Sequence, residues 1–182
     1  SMGSHVSVVP NHQLNRKTPL HTRANVAYFG TFGYELDLNK LSDEEISEVK
    51  QQITFMKEYR ELIQFGTFYR LKSPFEGNET VWMTVSEDKK TALVFWYRER
   101  NVVNADFTRV RLQGLDPDFI YRNEYNGTEN YGDELMNLGM LTTDCTAGEP
   151  TSEDEPCTDY ESRVYVLTES SKSPASIAKS NK

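Results

Sequence analysis

The sequence has no long apolar run and only two cysteines. No stretch approaches the roughly 18 consecutive apolar residues that cross a bilayer, and the amino terminus lacks the charged and apolar regions of a secretory signal. Cys145 and Cys157 lie in one polar segment, which is a poor basis for a zinc site or a disulfide framework. We therefore expect a soluble, cytoplasmic protein with free thiols, no membrane association and no cofactor.

Basic residues are scarce as well. The 182 residues include 20 Lys and Arg against 28 Asp and Glu, which gives a net charge of -8 and a pI near 5.0. A protein that binds nucleic acid needs a basic face to neutralise phosphates, so no nucleic-acid partner is expected. The length and the 37% hydrophobic content allow one or two domains with a core.

The three histidines all lie near the amino terminus. The spacing of His5, His12 and His21 matches no ligand motif, and no acidic residue lies near them in the sequence. We predict ordinary loop histidines and no metal site. The stretch 6–22 is predicted to be irregular because it contains the breakers Pro10, Asn11 and Pro19.

The first apolar stretch predicts a strand over residues 26–37. Tyr28, Phe29 and Phe32 are bulky, whereas Gly30 and Gly33 have no side chain, a pattern typical of a strand that packs on both faces. A lone strand and the helix that follows it cannot bury both of their apolar faces. The partners of this βα unit are therefore expected upstream of Ser1 or in another chain.

A long helix is predicted over residues 42–65. Ser42 and Glu45 form a capping box, and Gly66 occupies the position of a C-terminal glycine. One apolar stripe follows the helical period and consists of Ile46, Val49, Ile53, Met56, Tyr59 and Ile63. The first domain is predicted to cover residues 1–66.

After Gly66 the hydrophobic period becomes two, which predicts a second, all-β domain over residues 67–169. The predicted strands are Thr67–Leu71, Thr80–Ser86, Ala92–Arg98, Arg109–Gln113, Phe119–Asn123 and Arg163–Thr168. Six antiparallel strands at this spacing indicate a β-sandwich. An acidic, polar insertion is predicted near residues 142–158, and residues 170–182 are predicted to be a disordered tail.

The two tryptophans have two interpretations. Trp82 and Trp96 lie on the predicted central strands. A carbohydrate-binding module would display them flat on one face to stack on sugar rings, whereas aromatic residues between a sheet and a neighbouring domain are commonly buried. We favour burial.

Several consecutive segments resemble one enzyme family. They are MGSHVS (2–7), VPNH (9–12), RANVAYFG (23–30), FGYELD (32–37), YRELIQFGTFYR (59–70), GLDP (114–117) and YGDELM (131–136). In this order they resemble the end of the catalytic barrel and the following domain of retaining α-galactosidases of glycoside hydrolase family 36. The resemblance implies the last βα unit of a (β/α)8 barrel, followed by an antiparallel β-sandwich.

The same resemblance implies an activity for the parent protein. It would hydrolyse terminal α-galactosyl residues of oligosaccharides such as melibiose or raffinose by a retaining mechanism with two carboxylates, and it could form homo-oligomers. The alternative is a non-catalytic β-sandwich module that binds carbohydrate or mediates oligomerisation.

Only Glu35 and Asp37 suggest a catalytic pair within this chain. They lie two residues apart at one strand end, whereas the nucleophile and the acid must flank the sugar from opposite sides. We predict that both are polar groups that lead into the helix. The family's two catalytic aspartates lie on earlier barrel strands, so we expect no catalytic residue here and carry over no substrate-binding residue.

Overall fold

The computed structural model describes residues 3–102, 107–142 and 159–170. The helices are α1 (Leu20–Ala27), α2 (Asp43–Phe65) and α3 (Gly132–Asn137). The strands are β1 (Val6–Ser7), β2 (Tyr34–Glu35), β3 (Thr67–Lys72), β4 (Glu79–Val85), β5 (Thr91–Arg98), β6 (Arg109–Val110), β7 (Ile120–Asn123), β8 (Glu129–Tyr131), β9 (Met140–Leu141) and β10 (Glu161–Glu169). In this described part of the chain, no helix has the length and apolar character needed to cross a membrane.

The predicted strand over residues 26–37 is wrong in its first half. Helix α1 occupies Leu20–Ala27, and only Tyr34–Glu35 is extended enough to pair, in parallel, with Val6–Ser7. The helix forms because Leu20, Ala24 and Ala27 follow the helical period and are all buried. The stretch 6–22, which was predicted to be irregular, therefore contains a short strand and the start of a helix.

Helix α2 confirms the predicted helix. The Ser42 hydroxyl accepts a hydrogen bond from the Glu45 amide, and the Glu45 carboxylate accepts one from the Ser42 amide. Gly66 ends the helix with an extended backbone, so a left-handed conformation is not the reason for glycine there. The reason is space, because a Cβ at this position would lie 2.5 Å from the Leu62 carbonyl oxygen and 2.8 Å from that of Val85.

The second half of the chain forms a six-stranded antiparallel sheet in the order β3-β4-β5-β10-β7-β8. Five of the six predicted strands are present with bounds that shift by one or two residues, but the strand predicted over residues 109–113 shortens to Arg109–Val110. This short strand pairs with β9 in a separate two-stranded ribbon. Strands β8 and β9 and helix α3 were not predicted. One large antiparallel sheet with a small second layer is consistent with a β-sandwich.

Successive side chains of the central strands point into two different cores. On one face, Val94 and Trp96 pack with residues of β4, β10, the ribbon and α3. On the other face, Leu93 and Phe95 pack against β1, α1 and α2. We call residues 3–66 the amino-terminal region, and residues 67–102, 107–142 and 159–170 the sheet region.

Most of the predicted acidic insertion and tail lies outside the described residues, as do Cys145 and Cys157. The described ends of these segments are part of the fold. Thr142 is fully buried, and its carbonyl oxygen accepts a hydrogen bond from the Tyr165 hydroxyl. Ser170 donates its amide to the Ile120 carbonyl oxygen at 2.7 Å. Both residues are therefore held to the sheet by hydrogen bonds.

Candidate functional site

The parallel pair β1–β2 defines one edge where functional residues can gather. In parallel sheets the loops that follow the strands all leave at the carboxyl edge, where barrel enzymes keep their active sites. Here that edge carries the segment after β1, residues 8–19, and the segment after β2, residues 36–42. We call residues 8–19 the rim loop.

Glu35 and Asp37, the one carboxylate pair noted in the sequence, have separate partners. The side chain of Glu35 is 73% exposed, and its Oε2 lies 2.6 Å from His5 Nε2. Asp37 accepts a hydrogen bond from the Asn39 amide at 3.1 Å and thereby caps a short 3-10 turn, Leu38–Lys40. Asp37 thus leads the chain toward α2, as the sequence predicted.

The prediction of loop histidines is wrong for His21, which lies on α1. His5 has no acidic residue near it in the sequence, but the fold supplies one. Glu35 is 30 positions away in the sequence, but the parallel pairing of Val6 with Tyr34 brings the two side chains together. No group of three or more His, Cys, Asp or Glu within the described ranges is arranged to hold a metal ion.

Arg23 is a residue of this edge that sequence reasoning missed. Its Nη1 donates to the Ser7 carbonyl oxygen at 2.5 Å, and its Nε donates to the Thr18 carbonyl oxygen at 3.0 Å. Burial lowers the pKa of the guanidinium from its ordinary value, and the carboxylates of Glu45 and Glu48 oppose this effect. The helical spacing of Leu20, Ala24 and Ala27 was the available signal, because it would have placed Arg23 on a helix.

A buried chain of hydrogen bonds joins helix α1 to the sheet. Asn25 Nδ2 donates to Ser162 Oγ at 2.9 Å, and Ser162 Oγ donates to Thr22 Oγ1 at 2.9 Å. Thr22 Oγ1 in turn donates to the Tyr160 carbonyl oxygen at 2.8 Å. The Tyr97 hydroxyl adds a hydrogen bond of 2.7 Å to the Asn25 carbonyl oxygen. Four hydrogen bonds, one fully buried and three partly buried, thus fix the position of α1 on the sheet.

The two tryptophans differ in burial. Trp96 is 1% exposed, and its Nε1 donates to Glu79 Oε1 at 3.0 Å. Trp82 is half-buried, with the Phe29 ring edge-on at 5.0 Å and the Tyr97 ring at 5.8 Å. The preference for burial over display is confirmed for Trp96, whereas Trp82 is only half-buried and lines a cavity of about 320 Å3 with Val26 and Tyr97.

A cluster of charged side chains lies beside a cavity of 540 Å3 in the sheet region. Glu79 pairs with Lys72 and also accepts a hydrogen bond from Thr108 Oγ1 at 3.0 Å. Arg98, which is 7% exposed, pairs with Glu161 on the neighbouring strand. The opposite charges neutralise each other. Lys72 and Glu79 join consecutive strands, whereas Arg98 and Glu161 link strands that are distant in sequence, which is a structural role.

Comparison with known proteins first places the chain among glycoside hydrolases. Residues 1–66 match the family model described as Melibiase, and residues 79–167 match the one described as the glycosyl hydrolase family 36 C-terminal domain. Together the two models account for both the amino-terminal region and most of the sheet region. The chain belongs to glycoside hydrolase family 36.

Individual relatives agree with the family models. The chain is 52% identical over 140 residues to the alpha-galactosidase AgaA of Geobacillus stearothermophilus, an alignment that covers 77% of this chain and 19% of AgaA. It is 47% identical over 139 residues to the alpha-galactosidase Mel36A of Lactobacillus acidophilus, covering 76% of this chain and 19% of Mel36A. The chain thus spans about a fifth of the length of these relatives.

The fold matches solved structures of the same family. The crystal structure of AgaA superposes with a TM-score of 0.83 at 45% sequence identity, covering 93% of this chain and 22% of AgaA. The alpha-galactosidase from Lactobacillus brevis superposes with the same TM-score at 42% identity, covering 94% of this chain and 23% of that protein. AgaA variants have also been solved in complex with raffinose and with stachyose.

Proposed function

We propose that this chain is part of an α-galactosidase that removes terminal α-galactosyl residues from oligosaccharides. The observation that carries the proposal is the match to family 36 across both regions, at 52% identity to an alpha-galactosidase. Relatives crystallised with raffinose and stachyose suggest oligosaccharides of that type as substrates.

In this proposal the amino-terminal region is the closing end of a (β/α)8 barrel, with a domain boundary near residues 66 and 67. The parallel pairing of β1 with β2 supports it, because parallel strands are stable when further strands and helices bury them. Val6 is fully buried although its strand has only two residues. Such a short pair needs more strands to form a stable sheet.

The proposed chemistry is retaining hydrolysis by two carboxyl groups. One attacks the anomeric carbon, and the other donates a proton to the leaving oxygen, from positions about 5 Å apart. Glu35 is paired with His5 and Asp37 caps the 3-10 turn, so neither is arranged for these roles. We propose that both catalytic carboxylates lie outside this sequence and that this chain contributes part of the cleft wall.

A chimera tests the proposal. The aligned region of AgaA is replaced by this chain, and hydrolysis of a chromogenic α-galactoside is measured. We expect turnover within about tenfold of AgaA, because a conserved fold should hold the barrel closed without touching the reacting atoms. The isolated chain should give no turnover above the blank. A folded chimera without activity would contradict the proposal.

The alternative, a non-catalytic module that binds carbohydrate, depends on exposed aromatic rings. The buried Trp96 argues against it, and Trp82, half-buried beside Phe29 and Tyr97, is the ring that remains to be tested. Calorimetric titration of the full chain with galactose and raffinose separates the two functions. Saturable binding by the chain alone, lost in Trp82→Ala, would favour the module instead.

A further inference from the structure

The rim loop is folded by its own hydrogen bonds. The Asn11 amide donates to the Arg16 carbonyl oxygen at 2.8 Å, and the Asn15 amide donates to the Asn11 carbonyl oxygen at 2.7 Å. The side-chain oxygen of Asn11 accepts from the amides of Gln13 and Leu14, each at 3.0 Å. A loop with this internal turn has few conformations to lose when a ligand binds.

The stem of the rim loop is closed by Arg23. Its two donors reach Ser7 just before the loop and Thr18 near the loop's end, so one guanidinium joins both ends. Only the fork of an arginine can donate in two directions with a fixed geometry. Arg16, inside the rim loop, makes a further contact, because its guanidinium lies 4.7 Å from the centre of the Tyr160 ring.

The helix that carries Arg23 is itself fixed to the sheet. Thr22 and Asn25, on either side of Arg23, both belong to the buried hydrogen-bond chain with Ser162. The rim loop is therefore held through Arg23 and α1 to strand β10. The tip, in contrast, faces solvent, with the Leu14 side chain 67% exposed.

We propose that Arg23 is a positioning residue that holds the rim loop as a preformed wall of the substrate cleft, and that the exposed tip contacts a neutral oligosaccharide. The second part rests on the proposed function, since it needs the carboxyl edge to be the active-site edge. A preformed wall adds binding energy equally to the substrate and to the transition state. Loosening it should raise KM and leave kcat nearly unchanged.

Hydrogen exchange on the full chain tests, independently of any activity, whether Arg23 holds the rim loop in place. In Arg23→Gln, and more weakly in Arg23→Lys, we expect the amides of Asn11 and Asn15 to exchange about tenfold faster or more, because charge-assisted hydrogen bonds are lost. Exchange in α2 should not change. Arg60→Gln, an exposed arginine on α2, is the matched control. Unchanged exchange of the loop amides in both Arg23 variants would refute the positioning role of Arg23.

Kinetics of the chimera with AgaA test the contact with substrate. With raffinose we expect Arg23→Lys to raise KM about fivefold to tenfold and to change kcat less than twofold. A purely structural role would instead lower kcat in proportion to the folded fraction and leave KM unchanged, and that result would overturn the substrate contact. An inactive parent chimera would count against the proposed function. The exchange experiment would still decide whether Arg23 positions the rim loop.

Discussion

The amino-terminal region and the sheet region depend on each other unequally. The sheet region has a core of its own, in which the β4, β5 and β10 side chains of one face are closed off by the ribbon and α3. The core of the amino-terminal region is shared, since Leu93, Phe95, Val164 and Val166 of the sheet complete it. The strands of the amino-terminal region contain only four residues, so this region depends on packing against the sheet for its core.

Neighbouring residues on one strand therefore stabilise different parts of the protein. In β5, Trp96 belongs to the core of the sheet region, and Phe95 belongs to the shared core. Substitutions at the two positions should therefore have separable effects on stability. The predictions below use this separation.

Replacement of Trp96 by Ala should have the largest effect. The indole is 1% exposed and donates to Glu79, so its removal leaves a cavity and a carboxylate with one partner fewer. We expect a loss of about 4 kcal/mol in the free energy of unfolding, measured by urea denaturation. Phe75→Ala is the control, because that ring is 95% exposed and should change stability by less than about 0.5 kcal/mol.

Phe95→Ala should mainly loosen the amino-terminal region. Phe95 is fully buried, and its ring centre lies 4.2 Å from that of Phe29. We expect a loss of about 3 kcal/mol. Hydrogen exchange should accelerate in α1 and α2 more than in β7 and β8. Equal acceleration in both regions would show that they open as one unit, contrary to the comparison.

Gly66→Ala tests the junction between the regions. The new methyl group would meet two backbone oxygens and Thr84 Oγ1 at 2.5 to 2.8 Å, so α2 and β4 would have to move apart. We expect a destabilisation of about 2 kcal/mol. Gly77→Ala is a matched control, since nothing lies within 4 Å of a Cβ there. Equal unfolding midpoints for the two variants would disprove the close approach.

Ser42→Ala should have a smaller effect that is confined to the amino-terminal region. The substitution removes the hydroxyl that accepts from the Glu45 amide at 3.2 Å. A loss of about 1 kcal/mol is expected from a missing N-cap. Ser47→Ala, at an exposed position in the same helix, should be neutral or slightly stabilising in the same thermal melts. A loss as large at Ser47 would mean that the cap contributes nothing.

Alkaline pH should destabilise the amino-terminal region and, through Tyr97, its contact with the sheet, with no effect near neutrality. Burial raises the pKa of Tyr34 to about 12, and burial followed by the proximity of Tyr28 raises the pKa of Tyr97 well above its usual range. In the unfolded chain these phenols ionise near pH 10. The stability they contribute is complete below about pH 10 and is lost as the pH rises toward 12.

Urea midpoints measured at pH 8, 10 and 11 check the alkaline effect. Tyr34→Phe should reduce the decline between pH 10 and 11 because the ionisable group is gone. It also removes the hydrogen bond of 2.8 Å to Gln52, so a lower midpoint at pH 8 is expected. A decline as steep as in the unchanged chain would show that Tyr34 does not contribute to it.

Elements with local signals could be predicted from the amino-acid sequence alone. The capping box and apolar stripe predicted α2 to within a residue, and the period of two predicted the long strands β3, β4, β5, β7 and β10. Successive side chains of a strand point to opposite faces of the sheet whichever strands are its neighbours. The period of two can therefore be read without knowing the partner strands.

The secondary structure of residues 20–37 and the contacts of the rim loop depend instead on long-range packing. Tyr28, Phe29 and the nearby glycines suit a strand locally, but in the fold Thr22 and Asn25 of α1 are both hydrogen-bonded to Ser162 on β10, about 140 residues away. The approach of His5 to Glu35 and the closure of the rim loop by Arg23 likewise depend on strand pairing and helix placement. Such contacts join residues that are distant along the chain, and their energy exists only once the fold has brought them together.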